Sequence, residues 1–457
     1  MPPAKNGATP DFDLHHFDRH FRRAVWITAL ITVIGAALIY ADKADDERSA
    51  FIRWRPQVLR FWQGVNIYDR MMFPNPPIMP ITLYPLMTLP PLTGALCWYG
   101  LKAALTAAAA WLCFRMVWPE GTPSLPSWVQ GPVLLLSFRP ILGDLHHGNN
   151  NLVILFLVVS MLYAWRKGYD VLAGLVLALA ISYKITPALF VPYFLSKRSY
   201  RAVGATILGL GLFLLVVPTL VIGPTFNAEC LGMWWYRMLR PFVVKDVVSV
   251  QEVNQSMVGV LTRLLTAAKV GTGRYNLHLA VNVVSWPPWL VSPLIKGLSV
   301  GLVGLLAFFC RTKADRRTDP RLMGEFALVV LTMLFVSERS WKHHFVTVLL
   351  PYTYLMYRVG MPVATPRVRA VLASGLVVSA LLMAATSSEM GGWFAHGQGH
   401  KFAQGYGLFF WAGVVLYVLT AWRVRVEGRR LAVEEPSRGP TIPAPHVLGA
   451  VRPGVAR

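Results

Sequence analysis

Residues 22–47 read RRAVWITALITVIGAALIYADKADDE, a pattern that recurs along the chain and sets its architecture. Two arginines precede eighteen consecutive uncharged residues, 24–41, and Asp42, Lys43, Asp45, Asp46 and Glu47 follow them. Wound as a helix, an apolar run of that length crosses most of the ~30 Å hydrocarbon core of a bilayer. No small-residue cleavage site follows, so the run reads as a retained span rather than a signal peptide. The cationic flank, with Arg19, Arg22 and Arg23, places residues 1–23 on the cytoplasmic side and the acids outside.

The rest of the chain repeats the pattern. Of its 457 residues 55% are hydrophobic and only 14% charged, where a soluble domain carries about a quarter. Apolar content of that order also excludes disorder. The net charge of +22 would suggest nucleic acid in a soluble protein; in a membrane protein it belongs to cytoplasmic loops and anionic lipid, and no nucleic-acid partner is expected. Cys97, Cys113, Cys230 and Cys310 form neither a CxxC pair nor a metal-like spacing. Further apolar runs cover roughly 91–117, 127–143, 149–166, 169–184, 186–196, 202–223, 290–310, 321–337, 343–359, 367–386 and 405–424. The expectation is an all-α polytopic bundle of about twelve transmembrane helices over 24–424. The 186–196 run is short and carries Pro187 and Pro192, which suggests a broken helix.

Charge sets the orientation. With the N-terminus cytoplasmic, the cytoplasmic segments hold 25 Lys/Arg in roughly 100 residues, against about 16 in roughly 145 outside. The Arg- and Pro-containing segment 425–457 then reads as a disordered cytoplasmic tail. Two long segments, 42–90 and 224–289, lie outside, where long loops on a compact bundle are more often functional than decorative. Residues 50–68 read as an amphipathic interfacial helix mixing Trp54, Phe61 and Trp62 with Arg53, Arg55 and Arg60. Trp234, Trp235, Tyr236, Arg237 and Arg240 repeat that pattern.

Polar constellations gather on the same outer side. The acids Asp42, Asp45, Asp46 and Glu47 sit beside Arg53-Trp54-Arg55. The connection Gly143-Asp144-Leu145-His146-His147-Gly148-Asn149-Asn150-Asn151 joins two apolar helices. Turn chemistry explains its Gly, Asp and Asn, but not two histidines as well. As a metal site it is weak, because adjacent histidines do not share a helix face. Ser337-Glu338-Arg339-Ser340-Trp341-Lys342-His343-His344 offers Arg339 and Lys342 to a phosphate, or serves as a snorkelling collar. Lys184 ends an apolar run where an unpaired charge is expensive. Asn254-Gln255-Ser256 can recognise hydroxyls or cap an interfacial helix. No Walker loop or nucleotide-binding GxGxxG motif is present.

These residues carry a resemblance. The first span followed by acids, the interfacial helix, Gly64-x-x-x-Tyr68, the Asn75-Pro76-Pro77 entry, GDLHHGNNN, SYKITPALFVPYFLSKRSYR, NQS and SERSWKHH are similar to the GT-C membrane glycosyltransferases. More narrowly they resemble glycosyltransferase family 87, the polyprenyl-phosphate-mannose-dependent α-mannosyltransferases, over most of residues 20–425. The resemblance implies transfer of a hexose from a polyprenyl-phosphate donor to a lipid or glycan acceptor, outside the inner (plasma) membrane. Inversion in one displacement, a carboxylate or histidine base and cations around the leaving phosphate follow from it; no cofactor is implied, and metal dependence stays open. The base candidates are Asp46 first, then Asp45, Asp144, His343 and His344. Donor or acceptor contacts fall to Arg53, Arg55, Tyr68, His146, His147, Asn149, Lys184, Asn254, Gln255, Arg339 and Lys342. The alternative from another class is a secondary transporter or lipid-linked-sugar translocase, which the intramembrane charges Lys102, Arg139, Lys296 and Glu325 would suit.

Overall fold

The computed structural model describes residues 14–118, 125–244, 247–268, 270, 280–361, 365–391 and 398–434. Among them helices joined by turns and loops make up the fold, and an isolated antiparallel bridge joins Asn254 to Trp341. The longer helices are α1 (Leu14–Asp45), α2 (Ala50–Phe61), α3 (Ile78–Met87), α4 (Pro91–Val117), α5 (Ser127–His147), α6 (Asn151–Arg166) and α7 (Asp170–Tyr183). A broken passage, Thr186–Ser196, leads to α8 (Tyr200–Ile222), which contains a π turn at Leu212–Val216. Then come α9 (Pro224–Trp234), α10 (Met257–Leu265), α11 (Pro288–Phe309), α12 (Arg321–Val336), α13 (Leu349–Gly360), α14 (Pro366–Ala384) and α15 (Leu408–Glu434). On length and composition α1, α4, α8, α11, α14 and α15 each contain a run able to cross a membrane.

Contacts between the connections sort into two ends. At the basic end Asp18 accepts from Ser127, Arg166 donates to the carbonyls of Thr318 and Asp319, Arg317 pairs with Asp170, and Arg358 pairs with Glu427. At the opposite, hairpin end Tyr40 meets Ser49, Trp98 donates to the Gly148 carbonyl, Asn149 meets His343, and Gln255 donates to the Gln404 carbonyl. The chain passes between these ends about a dozen times, with the short helices included. Leu14 and Glu434 lie on the basic side. This is the polytopic bundle that the apolar runs predict, and the Thr186–Ser196 passage is broken as its prolines require.

The central helices are short. α6, α7 and α12 have 16, 14 and 16 residues, so at ~1.5 Å per residue they span roughly 21–24 Å, less than the ~30 Å hydrocarbon thickness. Peripheral α4 has 27 residues. α12 is buried from Arg321 through Phe335, which places it at the centre. At the basic end, Glu325 is fully buried and pairs with both Lys197 and Arg321 at 2.6 Å, while Lys197 also donates to the carbonyls of Cys310 and Thr312.

Two helix limits differ from the apolar-run boundaries. α1 begins at Leu14, and Asp18 fastens it to the start of α5. α15 continues beyond 424 to Glu434, because Glu427 is held by Tyr354, Arg358 and Arg423. Residues 435–457, most of the expected tail, lie outside the described residues.

Candidate active site

α5 ends at His147, and Gly148 turns the chain with φ 74°. A side chain at 148 would meet Ser49 Oγ at 2.4 Å and Tyr40 Oη at 2.9 Å, so only glycine lets the hairpin press against the segment that follows α1. That segment leaves α1 by a Schellman turn: Arg48 N–H donates to the Lys43 carbonyl and Glu47 N–H to that of Ala44. Glu47 holds the left-handed position, φ 56°, that glycine usually takes there. This turn carries the acids. Asp42, Asp45, Asp46 and Glu47 are all exposed, and Asp46 pairs with Arg48 at 2.6 Å. Asp46 stands three residues after Lys43, on the same helix face.

Behind the hairpin runs a buried polar chain. Lys102 and Asp144 are both 0% exposed; the Lys102 ammonium donates to the Asp144 carbonyl at 2.7 Å and lies 3.3 Å from its carboxylate. Asn151 donates to the other Asp144 oxygen at 2.9 Å and accepts from the Lys184 ammonium at 2.7 Å. The sequence could not order these four residues, because they come from α4, α5, α6 and the end of α7. Lys102 was visible as a charge inside an apolar run, and Asn151 as part of the hairpin, but neither stood among the site candidates. A buried charge pair is favourable only with every remaining valence satisfied, and this one extends through Asn151 to Lys184.

In front of that chain the histidines gather. His147 and His343 stack, with ring centroids 4.6 Å apart, and His343 stands 5.0 Å from His344 and 5.5 Å from Trp341. Asn149 donates to His343 Nε2 at 3.1 Å, and His344 Nδ1 accepts from the Trp341 N–H. A cavity of about 20 Å³, room for one water, lies between Asn151, Lys184, Thr186, Ser340 and His344. Lys342 makes no hydrogen bond or ion pair among the described residues. Burial pushes its ammonium down to about 8, helped by Arg139 and Lys43, with Glu389 opposing. Lys43 and Arg139 act on His146 as well, whose buried Nε2 has no partner. Lys43 and Arg139 are thus further cations that the candidate set did not include.

Other candidates stand apart from this cluster. Arg55 donates to the Leu89 carbonyl at the end of α3, and Arg53 to that of Arg48. Tyr68 is fully buried against Phe73. Arg339 is exposed. Asn254 and Gln255 are also fully buried, and their side chains are spent on the backbone. Asn254 donates to the Ser249 and Glu338 carbonyls and accepts from Ser256 and Ser340; Gln255 donates to Glu252 and Gln404 and accepts from Phe409. They fix the 337–344 segment beneath the histidines, and Arg263 braces them through the Asn254 and Gln404 carbonyls. Among the described residues no three His, Cys, Asp or Glu side chains converge as a metal site.

The polyprenol-phosphate-mannose-dependent alpha-(1-2)-phosphatidylinositol mannoside mannosyltransferase of Mycolicibacterium smegmatis (strain ATCC 700084 / mc(2)155) is 26% identical over 298 residues, 61% of this chain. The match spans 60% of that relative's length. No solved structure matches the chain. The family model of glycosyltransferase family 87 matches residues 73–338, more than half of the chain, and takes in the hairpin, Lys102, Lys184 and the Asn254 clamp. The chain belongs to glycosyltransferase family 87.

Proposed function

We propose that this membrane protein transfers a hexose, mannose, from a polyprenyl-phosphate donor to a lipid or glycan acceptor at the extracytoplasmic face of the inner (plasma) membrane. One observation carries the reading: Lys342, Lys43, Arg139 and Lys184 converge with imidazoles at the hairpin end of the bundle. Cations held there suit a phosphate at the lipid surface. The bond from the sugar to the phosphate breaks as the acceptor oxygen bonds to the anomeric carbon from the opposite side, which inverts the centre. The bonding electrons leave on the phosphate, where Lys342 and Lys184 stabilise the developing charge. Polyprenyl phosphate, a phosphate monoester, leaves without a proton, so only a base is required, and Asp46 takes the acceptor hydroxyl's proton. The name of the Mycolicibacterium relative supports mannose on polyprenol phosphate as donor.

Transport is the less favoured reading. Of the charges that would suit a pathway, Lys102 is tied into the hairpin end, and Glu325 is neutralised at the basic end by Lys197 and Arg321. The deciding experiment incubates the purified protein in liposomes with radiolabelled polyprenyl-phosphate mannose and extracted membrane glycolipid. Label in a new lipid or glycan is expected. Movement of intact donor across the bilayer, with no transfer, would replace this reading by translocation.

Sidedness has its own test. Gln63 is exposed in the first outer segment, so a Gln63→Cys variant in a Cys97→Ala background should react with a membrane-impermeant maleimide on intact cells. Labelling only after permeabilisation would invert the topology. For the donor phosphate, Lys342→Ala should raise donor KM or lower turnover by about ten- to a hundredfold, the loss of a charge-assisted contact of ~1.5–3 kcal/mol. Because the Lys342 ammonium titrates near 8, it is charged below that pH and neutral above it. Donor affinity should therefore fall more steeply between pH 7 and 9 in the native protein than in Lys342→Arg. Equal alkaline limbs in both would remove Lys342 from phosphate binding.

A further inference from the structure

Beyond the polar cluster, on the other flank of the outer end of α12, lies a cavity of about 930 Å³ between α10, the 285–288 connection and α11. Trp286, Val291, Ile295 and Val300 line it from one side and Val258 from the other, with Glu338 at its margin. From Pro288 to Val300 it follows α11 for roughly 18 Å at ~1.5 Å per residue. α11 is a membrane-crossing helix whose Trp289, Leu298 and Val300 face outward, so this length of the groove opens on hydrocarbon rather than water. The hydroxyl of Ser299 turns back onto the Ile295 carbonyl at 2.9 Å, so Ser292 and Lys296 are the remaining polar residues on an otherwise apolar α11 wall. Its outer mouth is different: Ser285, Thr266 and Glu338 edge it, and Glu338 continues directly into the segment that carries Lys342, His343 and His344.

Resting on the transferase reading above, we propose that this groove takes the isoprenoid chain of the donor, which enters sideways from the bilayer between α10 and α11. A single, mostly apolar channel between two helices suits one unbranched run of chain better than the paired tails of a diacyl lipid. The polar mouth sets the phosphate end at the 338–342 segment, and the chain is removed from the first outer segment, which stays free for the acceptor. The Asn254 and Gln255 clamp joins the two regions, since it fixes residues 338–341 at the groove's mouth and beneath the histidines.

The test uses the full-length protein in nanodiscs with a diazirine-bearing polyprenyl phosphate. Crosslinks should map to 286–300 and persist against excess phosphatidylglycerol. Ile295→Trp, which fills the groove, should cut them at least tenfold, as should the milder Ser299→Leu in part, whereas Val303→Trp on the outward face should not. In transfer assays Ile295→Trp should raise KM about tenfold, ~1.4 kcal/mol, for a long-chain donor and leave a ten-carbon donor unaffected. Crosslinks on 50–61, equal competition by bulk phospholipid, or a rise in acceptor KM instead would each overturn the assignment. Specific labelling of 286–300 without any transfer by the native protein would defeat the transferase reading alone; transfer without that labelling would defeat the groove alone.

Discussion

Lys102→Met is expected to destabilise the protein by about 3–5 kcal/mol, because it leaves the Asp144 carboxylate buried without its cation. That is a large part of the ~5–15 kcal/mol by which a folded protein typically exceeds its unfolded state, so low expression and early melting in detergent should follow. Asp144→Asn alone should behave similarly, since it strands the ammonium. The informative protein is the double variant, Lys102→Met with Asp144→Asn. It removes both charges yet keeps an oxygen for Asn151 to donate to, so most of the stability should return. Activity should not return with it: without the Asp144 charge behind Asn151, the Lys184 ammonium loses the field that favours it, and donor kcat/KM should remain roughly ten- to a hundredfold down, the value of a hydrogen bond to a charged group. Asn151→Leu should reproduce that kinetic loss and lower stability by about 1–3 kcal/mol, because it leaves a buried Asp144 oxygen without its donor. A double variant both stable and fully active would make the pair a packing feature with no bearing on Lys184.

The sequence announced these charges unevenly, for physical reasons. Apolar runs are long and repetitive, so the bundle, the broken 186–196 passage and the sorting of basic connections to one end were legible from composition and spacing. Asp144, His147, Lys184, His343 and His344 stood out as well, because polar residues at the margins of apolar runs are costly and conspicuous. What could not be read was which of them touch. Lys102 looked like a lone intramembrane charge suited to a transporter; only the packing of α4 against α6 and the hairpin gives it Asp144 as a partner. Asn254 and Gln255 looked like hydroxyl-recognising groups, yet their amides are consumed by backbone, a fate set by contacts 84 and 149 residues away.

Neutralising the base is expected to cost more than any other change that leaves the fold intact. Asp46→Asn should lower turnover about 10²–10⁴-fold with donor binding retained, the usual range for a general base. Three observations favour Asp46 over its rivals. Asp144 is 0% exposed and both its oxygens are engaged, so no acceptor hydroxyl reaches it. His343 accepts from Asn149, and His344 spends Nδ1 on the Trp341 N–H, which suits holding a phosphate or sugar better than taking a proton. Asp45 lies two residues past Lys43, about 200° around the helix at ~100° per residue, and so points away from the Lys43 face, whereas Asp46 at three residues falls beside it. The Arg48 partner of Asp46 is no obstacle: both side chains are more than half exposed, at 62% and 59%, and such pairs are worth only ~0–1 kcal/mol. An arriving acceptor can displace it, and Arg48→Ala should therefore leave turnover within a few-fold of native. Asp46→Asn, Asp45→Asn and His344→Ala belong in one assay with purified lipid-linked donor, beside the Lys102→Met, Asp144→Asn double variant. If Asp46→Asn turns over normally while Asp45→Asn is inactive, the α1 exit is rotated toward the hairpin by the other face; if both are active and His344→Ala is dead, the proton goes to imidazole and the first-segment acids have no part in the chemistry.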